Sequence, residues 1–248
     1  MARLLIINPN ISPSVTALIE AEARRAASPD TVLTMATAAF GVAYIETRFE
    51  AMLGAHAAAE AAAEQAAGHD AVVIAAFGDP GLQALREVLP MPVTGLTEAA
   101  LMSACLLGQR FSIIAISHRI SAWYRECVDA HGLLGRLASI RSLGSPLRDV
   151  ASIQQDHRDA LVALAERAVA DDGADVIVLA GAPLAGLARQ VRDLLPVPVV
   201  DGVSSTVRHA ETLAALAPAK ARAGSFAPPP VKPNTGLSPA MQALLAQR

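Results

Sequence analysis

Aromatic residues are scarce in this chain, at 3% of 248 positions with a single tryptophan and two tyrosines. The core therefore cannot lean on large rings. It must be filled by Ala, Val, Leu and Ile, which the 53% hydrophobic content supplies. Cysteine is nearly absent too. Cys105 and Cys127 form no Cys-x-x-Cys pair and have no metal-ligand spacing, which excludes a disulfide framework and a zinc site of the usual pattern. Both fall in apolar helical stretches, where a free thiol behaves as a small buried hydrophobe. No apolar run reaches the ~18–20 residues needed to cross a bilayer, and the N-terminus enters a strand without the parts of a secretory leader. The expectation is a cytoplasmic protein that meets no membrane. A net charge of −3, with scattered basic residues, leaves no footprint for nucleic acid.

What the chain does have is one segment twice. Residues 70–93 begin Asp-Ala-Val-Val-Ile-Ala-Ala-Phe-Gly-Asp-Pro-Gly-Leu and close on Leu-Pro-Met-Pro-Val. Residues 175–199 begin Asp-Val-Ile-Val-Leu-Ala-Gly-Ala-Pro-Leu-Ala-Gly-Leu and close on Leu-Pro-Val-Pro-Val. Each copy reads as a strand, a small-residue loop, a short helix and a second strand. Two half-chain copies imply two similar lobes whose loops face each other across a cleft.

Short β-branched runs at 3–7, 31–36, 71–75, 93–94, 111–116, 139–142, 175–180 and 199–200 alternate with helical stretches. The helices fall at about 13–27, 46–67, 81–88, 97–107, 119–131, 152–171, 185–194 and 203–216. Such alternation gives parallel sheets with crossover helices. The first lobe takes residues 1–95 and is completed by 201–248; the second takes 96–200. The Pro228-Pro229-Pro230 run keeps 227–235 extended on the surface before a last helix at 239–247.

Ligands of parallel sheets collect at the carboxyl ends of the strands, so candidate residues come from the loops that follow them. Asn8 and Asn10 offer amides to a carboxylate, ureide or lactam, or else cap the helix that starts near Ser12. Ala76, Phe77 and Gly78 in one copy, and Gly181, Ala182 and Pro183 in the other, stand where helices open. Their backbone N–H groups suit an anion or a developing enolate, or the glycines serve only tight turns. His118, after Ser117, is the first candidate for general acid or base. Asp79 is the second, or else the cap of its own helix. Tyr44 is the third. Asp201 is a cap or a hydrogen-bonding partner of the site. Nothing in the pattern asks for a metal or a cofactor, and the partner expected is a small-molecule substrate.

Three of these loops have a distinctive order: Asn8-Pro9-Asn10 after the first strand, Phe77-Gly78-Asp79-Pro80-Gly81 after a central one, and Val199-Val200-Asp201-Gly202 near the end. On them the chain resembles, over nearly its whole length, the aspartate/glutamate/hydantoin racemase superfamily and most closely its hydantoin-racemase branch. The resemblance implies an α/β fold of two pseudo-symmetric flavodoxin-like lobes, each with a parallel sheet, with the active-site cleft between them. It also implies a cofactor-independent, homo-oligomeric isomerase. In that family one cysteine from each lobe serves one face of the stereocentre: one thiolate takes the α-proton and the other thiol returns one.

At the corresponding strand ends this chain carries Ala76 and Gly181, and neither side chain holds a proton. Cys105 and Cys127 lie mid-helix, away from the loops, and do not substitute. The expectation is a hydantoin- or amino-acid-racemase-like isomerase that acts on a small cyclic ureide or carboxylate by α-proton chemistry, without the usual cysteine pair. Two other classes stay open: a cysteine-independent lyase, decarboxylase or hydrolase on the same fold, and a non-catalytic binder. Racemisation needs proton donors on two opposite faces, whereas the other reactions work with one.

Overall fold

The apolar runs pair into two four-stranded sheets, parallel throughout. The first joins β1 (Arg3–Asn8), β2 (Val32–Thr37), β3 (Ala71–Ile74) and β4 (Val93–Gly95) in the order β2-β1-β3-β4. The second joins β5 (Phe111–Ala115), β6 (Leu137–Ser142), β7 (Val176–Ala180) and β8 (Val199–Asp201) in the order β6-β5-β7-β8. The computed structural model describes residues 1–144, 150 and 152–246; Gln247, the last residue of the expected final helix, lies outside them. β3 and β7 are buried along their whole length, as central strands covered on both faces require. β2 and β6 are edge strands and only half-buried.

The sheets repeat each other strand for strand. Leu4 pairs with Ala71 in the first, and Phe111 with Val176 in the second. Ile74 pairs with Gly95 as Leu179 pairs with Asp201. Counting along these registers makes Asn10 the counterpart of Ser117, Ala76 of Gly181, and Gly95 of Asp201. Even the approach to the central strand is shared. Asp70 accepts from the backbone N–H of Arg3 at 2.7 Å, and Asp175 from those of Gln109 and Arg110 at 2.9 and 2.8 Å.

Local sequence explains where the helices begin. In α1 (Pro13–Ala26), Ser12 caps the N-terminus and proline takes the first turn, where no intrahelical N–H is needed. α2 (Arg48–Gln65) starts at a capping box between Thr47 and Glu50. α3 (Leu82–Val88) and α7 (Leu187–Val191) each follow a glycine in the left-handed region, Gly81 at φ 83° and Gly186 at φ 81°. A side chain there is strained. Gly186 also divides the second copy into a 3₁₀ turn, Ala182–Leu184, and the five-residue α7, in place of the single helix expected over 185–194. α5 (Ser121–Ala130) is likewise preceded by a 3₁₀ turn, His118–Ile120.

The two halves exchange helices. α4 (Leu96–Leu107) leaves the first sheet and packs on β7 and β8, while α8 (Gly202–Leu216) leaves the second and packs on β3 and β4; the two helices also pack on each other. One apolar cluster therefore runs from Leu4 and Ile6 through Leu101 and Val207 to Val176 and Val178. Burying each such side chain contributes ~1.5–3 kcal/mol. α6 (Ile153–Asp172) covers the other face of the second sheet. α2 covers the first, with α9 (Pro239–Ala246) laid against it and Ser238 donating to Glu60 at 2.6 Å.

Candidate functional site

Loops from both halves meet around a small, partly open cavity with room for about one water molecule, about 20 Å³. Asn10 lines it from the loop after β1, and Tyr44 and Ile45 from the segment between β2 and α2. Ala76 and Phe77 line it from the end of β3; Gly181, Ala182 and Pro183 do so from the end of β7. Tyr124 completes it from α5.

The two strand ends are built differently. Ala76 is a buried residue of ordinary backbone, whereas Gly181 sits at φ 115°, where a side chain is strained. Space is not the obstacle at Gly181: a Cβ there would stand 3.5 Å from Pro183 Cδ and 4.0 Å from Ile116 Cδ1, ordinary contact distances. The loop it opens is held from behind by Gln154 of α6, whose amide donates to the carbonyls of Pro183 at 2.7 Å and Ala185 at 3.0 Å.

On the first side, the Phe77 ring packs on Tyr124 with centroids 4.6 Å apart. Trp123 lies so close to Gly78 that a Cβ there would come within 2.2 Å of the indole. Gly78, at φ 100°, thus admits the tryptophan and does not line the cavity. Arg48 of α2 and Glu126 of α5 form an exposed ion pair.

The two asparagines divide their tasks. Asn8 is fully engaged: its amide donates to Asn10 Oδ1, Thr16 Oγ1 and the Ser12 carbonyl, and its own oxygen accepts from the Asn10 N–H. It holds the loop after β1. Asn10 Oδ1 accepts from Asn8 and from the Ser12 N–H at 2.9 Å, so the Asn10 amide nitrogen is the part of this pair left over at the cavity wall.

The leading acid/base candidates of the sequence lie elsewhere. His118 is exposed, in the first position of its 3₁₀ turn, while Ser117 beside it is buried and caps that turn through Arg119 N–H. Neither lines the cavity. Asp79 caps a helix, but not its own. Its two oxygens accept the N–H groups of Thr97 and Glu98 at the start of α4, each at 2.8 Å. Burial pushes its carboxyl up to about 7, against the downward pull of those two bonds. Asp201 caps α8 through Ser204 N–H at 2.9 Å; burial raises its carboxyl as well, with the nearby Glu22 adding to the rise.

Tyr44 does line the cavity. Its hydroxyl is buried without a hydrogen-bond partner among the described residues, and burial, followed by Glu46 and Glu50, raises it far above the ordinary phenol value. Tyr124 and Ile45 are lining residues that the sequence reading passes over. Tyr124 sits on a helix rather than a strand-end loop, and its only signal is that it is one of two tyrosines. The cysteines stay away from the cavity in α4 and α5, and burial, with Asp79 next, pushes Cys127 up to about 12. Another concavity, of about 550 Å³, is bounded by Glu22 and Arg189 among others; of the expected site residues it includes only Asp201.

Known proteins arrange the same elements in the same order. The Asp/Glu/hydantoin racemase family profile matches residues 4–210. The hydantoin racemase of Paenarthrobacter aurescens is 38% identical over 235 residues, covering 93% of this chain and 98% of that protein. Among solved structures, the allantoin racemase of Klebsiella pneumoniae superimposes with a TM-score of 0.91 at 33% identity, covering 100% of both chains. The allantoin racemase of Pseudomonas fluorescens gives 0.89 at 34% identity, covering 94% of this chain and 100% of that one. With paired parallel sheets, repeated strand-end loops and matches of this extent, the chain belongs to the Asp/Glu/hydantoin racemase family and is a racemase-like isomerase.

Proposed function

We propose that this enzyme labilises the α-proton of a small cyclic ureide or carboxylate held between its two halves, and that a hydantoin-type ring is the preferred substrate. What supports the reading is that Ala76 and Gly181, from matching strand ends of the repeat, line one cavity together with Asn10. The substrates named for the relatives, hydantoin and allantoin, suit the same reading. Ligand recognition falls to the Asn10 amide and to the backbone around 76–77 and 181–183. Asn8, Gly78, Ser117, Asp79 and Asp201 hold those loops in place, and His118 stays in solvent. The same proposal takes the enzyme to be cytoplasmic, homo-oligomeric and independent of a cofactor.

The test is α-proton exchange in D₂O with enantiopure allantoin and an enantiopure 5-monosubstituted hydantoin, followed by NMR and optical rotation. The expected result is deuteration and loss of optical activity faster than in buffer alone. Rates equal to buffer for every probe would refute the proposal.

A further inference from the structure

We propose that the buried Tyr44 hydroxyl is the donor that receives the carbonyl oxygen of the bound substrate and steadies the enolate formed from it. This deepens the α-proton reading above and rests on it. The carrying observation is geometric. Tyr44 lines the cavity between the strand ends, and its hydroxyl is buried with no partner among the described residues. A buried hydroxyl left unpaired is costly, and a ligand oxygen arriving in this cavity supplies the missing bond.

The rest of the lining sharpens the assignment. Among its described residues only Tyr44 and Tyr124 carry an ionisable proton; the others are Asn10, the apolar Ile45 and Phe77, and the backbone-like residues at 76 and 181–183. Both phenols are raised by burial and remain protonated, so they donate and do not act as bases. None of the described lining side chains takes the α-proton. Solvent hydroxide does so: the C–H bond breaks, the proton forms water, and the electron pair moves into the carbonyl to give an enolate whose oxygen accepts the Tyr44 O–H hydrogen bond. A proton from water then adds to either face of the carbon, which restores the C–H bond and regenerates hydroxide. Ala76 and Gly181 leave both faces open to it.

The decisive variant is Tyr44→Phe, which deletes only the unpaired oxygen and should fold with unchanged or higher stability. Exchange is read on an enantiopure 5-monosubstituted hydantoin. Binding is read separately by calorimetry with 5,5-dimethylhydantoin, which has no α-proton. In the variant, exchange should fall by about 10²–10³, the usual loss for one oxyanion donor, while binding falls by about tenfold or less. Exchange within twofold of wild type overturns the assignment. If wild type binds the dimethyl compound but exchanges nothing, the α-proton reading fails, and Tyr44 is judged on binding alone: about tenfold weaker in the variant supports it, unchanged overturns it. A wild type that neither binds nor exchanges overturns both.

Discussion

The carboxylate of Asp79 stands where a side chain on Gly95 would have to stand. A Cβ built on Gly95 would lie 2.3 Å from Asp79 Cγ. The counterpart of Gly95 in the second half is Asp201, which caps α8 from its own strand end. In the first half that cap is missing from Gly95 and is supplied across space by Asp79 to α4. The cap can therefore be moved. Asp79→Ala should cost about 1–3 kcal/mol, combining a lost cap with an alanine forced to φ 47°. Adding Gly95→Asp to that variant should recover part of the loss, although Gly95→Asp alone destabilises by collision. Urea denaturation of the four proteins measures the coupling; a double variant no more stable than Asp79→Ala would refute it.

The same carboxylate links stability to pH. Its pKa rises from the ordinary 3.8 to about 7 in the folded protein. The native state then holds the proton more tightly than the unfolded chain does, so this group's contribution is complete below about pH 4 and is lost as pH rises toward about 7. Relative to Asp79→Asn, which does not titrate, wild type should lose stability steadily across that window. A wild type that gains on the variant with rising pH would mean that the two backbone donors outweigh burial.

The sheets were legible because period and composition agree: β-branched runs of strand length, alternating with helical stretches, have few other ways to bury themselves. The repeat carried the pseudo-symmetry down to Gly81 and Gly186, whose shared left-handed backbone is a property that glycine advertises. The lining of the candidate cavity was legible by loop and less so by side chain. Asn10, Tyr44, Ala76 and Gly181 come together at the cavity, yet His118, whose chemistry suited the role, follows Ser117 into a turn aimed at solvent. Asp79 reaches a helix that follows the next strand, a contact across space that adjacency in sequence does not reveal. Tyr124 enters from α5 because its ring packs on Phe77 in the loop after β3, and only tertiary packing decides that.

Cys105 and Cys127 should be dispensable. Both are packed against the main apolar cluster, and the raised Cys127 thiol holds almost no thiolate near neutral pH. A Cys105→Ser, Cys127→Ser protein should keep the wild-type α-proton exchange rate, and iodoacetamide should label the native protein slowly. Lost exchange in a folded double variant would reveal a thiol nucleophile.

Thiols placed at positions 76 and 181 should convert solvent-mediated exchange into thiol-mediated exchange, and the two positions should differ in cost. Ala76 already carries a Cβ on ordinary backbone beside the cavity, so Ala76→Cys adds one sulfur and should fold like wild type. Gly181→Cys has room for its Cβ but must accept φ 115° or shift the loop that Gln154 holds, at a cost of about 1–3 kcal/mol. In the double variant the sulfurs face one cavity from opposite halves, the arrangement that two-face proton transfer needs. Deuterium incorporation into an enantiopure hydantoin should then exceed wild type by tenfold or more and disappear on alkylation. Either single variant should show less, because one thiol serves one face. A folded double variant whose exchange is no faster than wild type and insensitive to alkylation would mean that residues 76 and 181 do not face the same carbon.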